Sequence, residues 1–216
     1  MKNSSITKKY AFTVVAVDVI LFTVKNNALQ VLLIKMKKKP FAGFWAAPGG
    51  LVKTDESVDK AATRILKEKA GVARIPLEQL ATFGKVNRDP FGRVVSVAYM
   101  ALIPHKGLKL ATTYEHGDVA WFSVSRLPKL AYDHKEIIRF AHTRLQDRVG
   151  YSTVAKQIMP PEFSLGDLQR VHEIILGKSL DKRNFRKRIL SLGLVRKTAK
   201  KQSGTRNRPA MLYRFI

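Results

Sequence analysis

Two apolar runs, residues 11–24 and 29–36, are rich in Val, Leu and Ile and are separated by Lys25-Asn26-Asn27. Such runs, broken by a short polar segment, predict paired strands around a turn. Lys37-Lys38-Lys39-Pro40 then begins a loop, and Pro48-Gly49-Gly50 reads as a turn. The pattern next changes to a helical stripe at Val58, Ala61, Ala62, Ile65 and Leu66. It predicts a helix from about Ser57 to Lys69, with Asp55-Glu56-Ser57 supplying acidic and capping groups and Gly71 closing it. Residues 80–86, 94–103 and 119–122 read as further strands, and 133–148 as a helix with apolar positions at Ile137, Ile138, Phe140, Ala141 and Leu145. The result is a mixed sheet flanked by helices.

Beyond residue 150 the pattern is different. After the turn signal Met159-Pro160-Pro161, Ser164 can cap a helix over 165–176, with Asp167 as its capping-box partner. Leu168, Val171, Ile174 and Ile175 face inward and Gly177 ends the helix. Residues 178–181 connect it to a second helix over 182–192, with Phe185, Ile189 and Leu192 on one face and Lys182, Arg183, Arg186, Lys187 and Arg188 on the others. Two helices joined by a tight turn, the second strongly basic, predict a DNA-reading helix-turn-helix. Residues 194–198 and 210–215 can form a hairpin whose tip, 199–209, carries Lys200, Lys201, Arg206 and Arg208 with Gly204. That completes a winged helix. Arg183, Asn184, Arg186 and Lys187 are candidates for base or phosphate contact, and Lys182 with the four wing cations completes the DNA-binding set. A basic helix that docks on RNA or packs at a dimer interface is the alternative.

Length and composition set the frame. A chain of 216 residues, 45% hydrophobic, can hold two cores. The boundary is expected near 149–153, giving domains 1–150 and 151–216. Cysteine is absent, which excludes disulfides, thiolate nucleophiles and zinc-thiolate sites. His105, His116, His134, His142 and His172 show no metal-like spacing and read as surface or packing residues. The run 11–24 contains Asp18, is too short to span a bilayer and lacks a signal-peptide cleavage pattern, so no membrane partner and a cytoplasmic location are expected. A net charge of +24 calls for a polyanionic partner, since colloidal stability alone needs far less. From Gly150 onward there are 15 Lys and Arg against 4 Asp and Glu, and charge density there is nearly twice that of the preceding part.

The chemistry-bearing segment is GLVKTDESVDKAATRILKEKAGV, residues 50–72. Gly50, Glu56, Arg64, Leu66, Glu68, Gly71 and Val72 stand at the spacing of a metal-dependent pyrophosphatase box, after Trp45-Ala46-Ala47-Pro48-Gly49-Gly50. The segment resembles the Nudix family, whose box reads G-x5-E-x7-R-E-U-x-E-E-x-G-U. The resemblance implies α+β architecture: a mixed-sheet α/β/α sandwich, here followed by the small winged helix-turn-helix domain. In active members a glutamate directly after the box arginine and another four residues later hold magnesium or manganese. Here those positions are Ile65 and Lys69. Hard divalent ions need clustered oxygen ligands, and Glu68, one turn beyond Arg64, is better placed for an ion pair that fixes helix to loop, with Glu56 as a third partner. No catalytic residue, metal or cofactor is therefore expected, and Gly50, Glu56, Arg64, Glu68 and Gly71 are read as structural.

Three further segments extend the resemblance to the Nudix-related transcriptional regulators of bacteria and archaea: Phe83-Gly84 with Arg88-Asp89-Pro90 and residues 92–99; Phe163-Ser164-Leu165 with Leu168-Gln169; and residues 180–187. The family implies a Nudix effector sensor, a winged helix on double-stranded operator DNA, and a homodimer. Its regulators of NAD metabolism respond to ADP-ribose, and its regulators of sugar catabolism to pentoses such as arabinose. Charge favours a nucleotide-sugar of the ADP-ribose kind. The effector-binding candidates are the cations Lys35, Lys37, Arg88 and Arg93 with the rings Phe44 and Trp45, and Lys69 as a counter-charge in place of the metal. The rival reading is a Nudix pyrophosphate hydrolase with an atypical metal site built from Glu56, Glu68 and Glu115.

Overall fold

The computed structural model describes residues 12–105, 110, 116–202 and 209–216. They form two compact units. The first gathers the described residues up to Phe22, those of Val31–Ala101 and those from 108 to 141; the second gathers Thr23–Gln30, the described residues of 102–107, and 142–216.

The first unit is organised by strand β1 (Val14–Lys25), which is buried from Ala16 to Thr23. A strand covered on both faces shows the continuous apolar run seen in the sequence rather than alternation. β2 (Ala28–Met36) follows after Asn26 and Asn27, whose φ angles of 50° and 56° are those a two-residue hairpin turn requires. With β3 (Trp45–Ala46), β4 (Gly49–Leu51), β5 (Glu78–Phe83), β6 (Val94–Leu102) and β7 (His116–Ser123), the sheet runs β3-β2-β1-β6-β5, with β4 on β1 and β7 on β2.

The predicted turn at Pro48-Gly49-Gly50 is in part a strand. β4 pairs antiparallel with β1, setting Asp18 opposite Gly49 and Val17 opposite Gly50. Close approach is what demands glycine here: a Cβ on Gly49 would stand 2.1 Å from Asp18 Oδ1 and 3.0 Å from the Val17 carbonyl oxygen. The fifth strand also ends at Phe83 rather than Val86, where Arg93 Nη1 donates to the carbonyls of Gly84 and Lys85.

Helix α1 (Val58–Ala70) buries Ala61, Ala62, Ile65, Leu66 and Ala70. Ser57 caps its start by accepting the Lys60 N–H, and Gly71, at φ 69°, closes it in the left-handed conformation. Helix α2 (His134–Val149) buries Ile137, Ile138, Ala141, Leu145 and Val149. The division between the units by contact falls inside this helix, after Ala141.

The second unit contains a winged helix. A 3-10 turn (Val154–Gln157) leads to the short strand β8 (Phe163–Ser164), helix α3 (Leu165–Leu176), helix α4 (Lys182–Ser191) and strands β9 (Val195–Lys201) and β10 (Met211–Phe215), with β10 between β8 and β9. Its core joins Ala155, Phe163, Leu165, Leu168, Phe185, Ile189, Val195 and Tyr213. The capping box is complete: Ser164 Oγ accepts the Asp167 N–H and Asp167 accepts the Ser164 N–H. Leu192 lies just past α4 and is 39% exposed, so the buried anchors of that helix are Phe185 and Ile189.

Candidate functional site

A cavity of about 580 Å³ lies in the first unit. Ile34 and Met36 on β2, Ala46 on β3, Gly49–Leu51 on β4, Asp18 on β1, Lys69 on α1, Arg88 to Val94 in part, Tyr132 and His134 contribute to its wall. Phe12 and Phe91, 85% and 72% exposed, stand at its outer part.

The cavity floor is a buried polar network. Arg88 Nε and Nη2 donate to Asp133 at 2.9 and 2.7 Å, and Nη2 also donates to Asp18 Oδ2 at 3.1 Å. Ser96 Oγ donates to the same Asp18 oxygen at 2.7 Å, and His134 Nε2 lies 3.2 Å from Asp18 Oδ1. The Ala47 N–H donates to His134 Nδ1 at 2.9 Å. That nitrogen therefore bears no hydrogen, and the ring presents its hydrogen to Asp18 from Nε2. Burial pushes the Asp18 carboxyl up, but His134, Ser96 and Arg88 outweigh it and hold it at about 2. For Arg88 burial opposes the charge, and the two carboxylates more than restore it. Tyr132, at φ 52° in the left-handed region, packs its ring 4.4 Å from Phe41 and 5.3 Å from His134. A non-glycine residue held there, in a cavity wall, is backbone strain at a site.

The box itself is a clamp. Arg64 donates from Nε and Nη2 to Glu56, from Nη1 to Glu68 at 3.0 Å and from Nη2 to the Leu51 carbonyl at 3.1 Å. Hydrogen bonding from Arg64, followed by the Lys53 N–H, holds Glu56 down at about 2. Ile65 is buried under Gly50, where a Cβ would meet its Cδ1 at 3.2 Å, and Lys69 Nζ would lie 3.6 Å from the same point. The positions that carry metal ligands in active boxes thus hold a hydrocarbon buried against Gly50 and an ammonium-bearing side chain in the cavity wall. Among the described residues no three His, Asp or Glu side chains group in a way that could hold a metal ion. At these two positions Ile65 and Lys69 supply no oxygen ligand for a Nudix metal.

The expected effector residues divide into two sets. Lys69, Arg88 and Arg93 line the cavity. Lys35, Lys37, Phe44 and Trp45 do not: Ile34, Met36 and Ala46 face the cavity, so by strand alternation Lys35, Lys37 and Trp45, their neighbours along the chain, face away, and Phe44 packs against the cluster of Ile34, Ala46 and Ala131. Trp45 packs edge-on against Phe122 at 4.5 Å with Lys35 Nζ 6.0 Å from its ring, and Phe44 has Lys129 Nζ 4.2 Å from its ring centre. Sequence reasoning missed Asp18, Ser96, Asp133, Tyr132 and His134. One carboxylate inside an otherwise apolar strand was the available signal, because an ionised side chain is buried only when paired.

In the second unit, α3 and α4 are joined by a stapled turn. Glu173 accepts the Leu180 N–H at 2.9 Å and Gln169 donates to the Leu180 carbonyl at 2.9 Å. Asp181 caps α4 by accepting the Asn184 N–H at 2.8 Å. With Phe185 and Ile189 buried, Lys182, Arg183, Asn184, Arg186 and Lys187 are all exposed. Lys200 and Lys201 are exposed on β9 rather than at the hairpin tip, and Lys200 pairs with Glu162 at 3.0 Å. Arg196 and Lys197 add exposed cations to that strand. Arg206, Arg208 and Glu115 lie outside the described residues. No helix among the described residues is long and apolar enough to cross a membrane.

Comparison with known proteins places both units. Residues 13–141 match the NUDIX domain and residues 155–215 match the NrtR DNA-binding winged helix domain. The chain is 37% identical over 211 residues to the ADPR responsive transcriptional repressor NtrR of Acinetobacter baylyi, covering 95% of this chain and 83% of that protein. It is 36% identical over 130 residues, 60% of this chain and 73% of the relative, to an ADP-ribose pyrophosphatase of Methanocaldococcus jannaschii. NrtR of Shewanella oneidensis complexed with a 27mer DNA superposes with a TM-score of 0.76 at 36% identity, covering 94% of this chain and 93% of that one. The NUDIX domain of the same protein complexed with ADP ribose superposes with a TM-score of 0.58 at 33% identity, covering 67% of this chain and 99% of that one. A NUDIX domain joined to an NrtR winged helix, matched along nearly the full length, makes this chain a member of the NrtR family of Nudix-related transcriptional regulators.

Proposed function

We propose that this protein is a cytoplasmic, ADP-ribose-responsive transcriptional regulator that binds operator DNA as a homodimer and whose Nudix unit senses without hydrolysing. The observation that carries the reading is the presence in one chain of a cavity edged by Lys69 and Arg93 and a helix that turns Arg183, Asn184, Arg186 and Lys187 to solvent. The first supplies charge for a nucleotide diphosphate, the second an exposed basic helix for the major groove. The Acinetobacter and Shewanella relatives, one named as ADPR-responsive and one crystallised with DNA and with ADP ribose, support both halves.

Phosphoryl transfer depends on metal to offset developing charge, and Ile65 and Lys69 stand where that metal's ligands would be. The Methanocaldococcus relative, a pyrophosphatase by name, favours hydrolysis as the second reading. Two assays on the full chain separate these. Thermal shift with ADP-ribose and with arabinose should rise for ADP-ribose alone, and incubation with ADP-ribose and magnesium should release no AMP. AMP release by the unaltered protein would overturn the sensor reading, and a shift with arabinose alone would replace the effector.

A further inference from the structure

Lysines gather on the side of the first unit that is turned away from the cavity. Lys35 and Trp45 point there, and the two are register partners on β2 and β3. Lys37, Lys38 and Lys39 follow directly after β2, and all four lysines are exposed. Lys129, also exposed, is tied to β3 by its carbonyl, which accepts the Trp45 N–H at 2.9 Å. Residues 31–54 and 119–132 together hold seven Lys and Arg and no Asp or Glu. The carboxylate that borders them is Asp118, whose Oδ1 accepts the Val119 N–H.

The local backbone and rings fix these charges in place. The loop that carries Lys37 to Lys39 is closed by backbone hydrogen bonds, from Met36 N–H to the Phe44 carbonyl and from Gly43 N–H to the Met36 carbonyl, both at 2.8 Å. Phe41 anchors it, with its ring 4.4 Å from Tyr132 and 5.8 Å from Phe44. A Cβ on Gly117 would stand 3.7 Å from both Lys35 Cδ and Lys37 Cγ, so the stems of these two lysines lie along β7. Lys129 Nζ sits 4.2 Å from the centre of the Phe44 ring and Lys35 Nζ 6.0 Å from that of Trp45, within the range in which a ring attracts an ammonium group. Charges held this way lose less freedom when they meet a partner.

The chemistry of the partner follows from the type of charge. Lysine is a compact point charge without the planar fork that selects one carboxylate or phosphate, so a cluster of lysines suits a dense row of phosphates and carries no base preference. An anionic membrane surface asks in addition for apolar rings that can insert. Here Trp45 packs on Phe122, Phe44 packs on the Ile34 cluster, and an ammonium group stands by each ring. The same chain presents an exposed basic helix suited to duplex DNA, and once that helix is engaged the rest of the duplex is at high effective concentration for a second, weaker contact. We infer that the lysine face formed by Lys35, Lys37, Lys38, Lys39 and Lys129 is a second contact surface for duplex DNA, meeting phosphates without reading sequence and adding to the binding that the winged helix begins. This rests on the DNA-binding half of the reading above.

The test is the salt dependence of binding by the full chain to the DNA upstream of its own gene, compared with Lys37→Gln/Lys38→Gln/Lys39→Gln and with the charge-keeping Lys37→Arg/Lys38→Arg/Lys39→Arg. Each phosphate contact contributes about 0.9 to the slope of log affinity against log salt. The Gln variant should therefore bind with a slope shallower by about 2–3, should keep its preference for upstream over unrelated DNA, and should melt at the temperature of the unaltered protein. The Arg variant should keep the original slope. An unchanged slope in the Gln variant overturns the surface and leaves the winged-helix reading standing. A slope lowered equally by Arg and Gln overturns it as well, because charge would not be the cause. Vesicles of phosphatidylserine supply the contrasting polyanion: lysine-dependent capture by them, with the DNA slope unchanged, assigns the face to a membrane and overturns the proposal. Failure of the unaltered protein to bind DNA at any salt removes the DNA-binding reading and this surface with it.

Discussion

At the residue scale, the Asp18 network sets both a pH dependence and a steric limit. Asp18 sits at about 2 in the folded chain against a usual value of 3.8. A depressed carboxylate adds stability that is fully present above the unfolded value and is lost as pH falls through the folded one. The window is pH 4 to 2. Acid titration of the unaltered protein followed by circular dichroism should therefore fall more steeply through this window than that of Asp18→Asn. Gly49 gives the matching steric prediction. A methyl group 2.1 Å from Asp18 Oδ1 forces the carboxylate out of its hydrogen bonds, so Gly49→Ala should destabilise the protein by about 1–3 kcal/mol, the scale of overpacking, visible in a urea melt. A melt unchanged by that substitution would mean that the strand pairing of β4 differs from the one described.

At the scale of elements, sequence and structure agree where a single local rule decides. Helix α1 starts at its Ser57 cap and ends at Gly71, and α3 spans the residues its capping box and Gly177 define. Both were legible because caps act within a few residues. The buried network was not legible, since Asp18, Arg88, Ser96 and Asp133 come from well-separated segments and meet only when β1, β6 and the start of α2 are assembled. The choice of Lys35, Lys37, Phe44 and Trp45 rests on charge and ring type, which do not say which face of a sheet borders a cavity, a tertiary fact. In the winged helix, Phe185 anchors α4 against a core that includes Leu168 and Tyr213. Phe185→Ala should cost about 3–5 kcal/mol in that unit and weaken DNA binding, whereas Arg183→Ala with Arg186→Ala should abolish DNA binding without lowering the melting temperature or ADP-ribose affinity. His172, buried beside Phe185 at 5.0 Å, has its pKa lowered, first by burial. Protonation favours the unfolded chain for such a group, so the second unit should lose stability as pH falls below the ordinary histidine range, and His172→Phe should remove that loss.

At the scale of the whole molecule, the charge of +24 and its concentration after residue 150 determine how the chain meets DNA. Binding should weaken steeply with salt, and removing a cation proposed to contact phosphate, such as Lys187, should lower the slope of log affinity against log salt by about 1. Regulation requires that the effector bind DNA-competent and DNA-incompetent states differently. Regulation by ADP-ribose is thus a linkage between the Nudix cavity and the basic helix within one chain. Fluorescence anisotropy of the protein on the DNA upstream of its own gene, against unrelated DNA at about 150 mM salt, with ADP-ribose titrated in, tests it most directly. Preferential binding to the upstream DNA that ADP-ribose changes is expected; equal binding to both DNAs, indifferent to ADP-ribose, would rule out an ADP-ribose-responsive regulator.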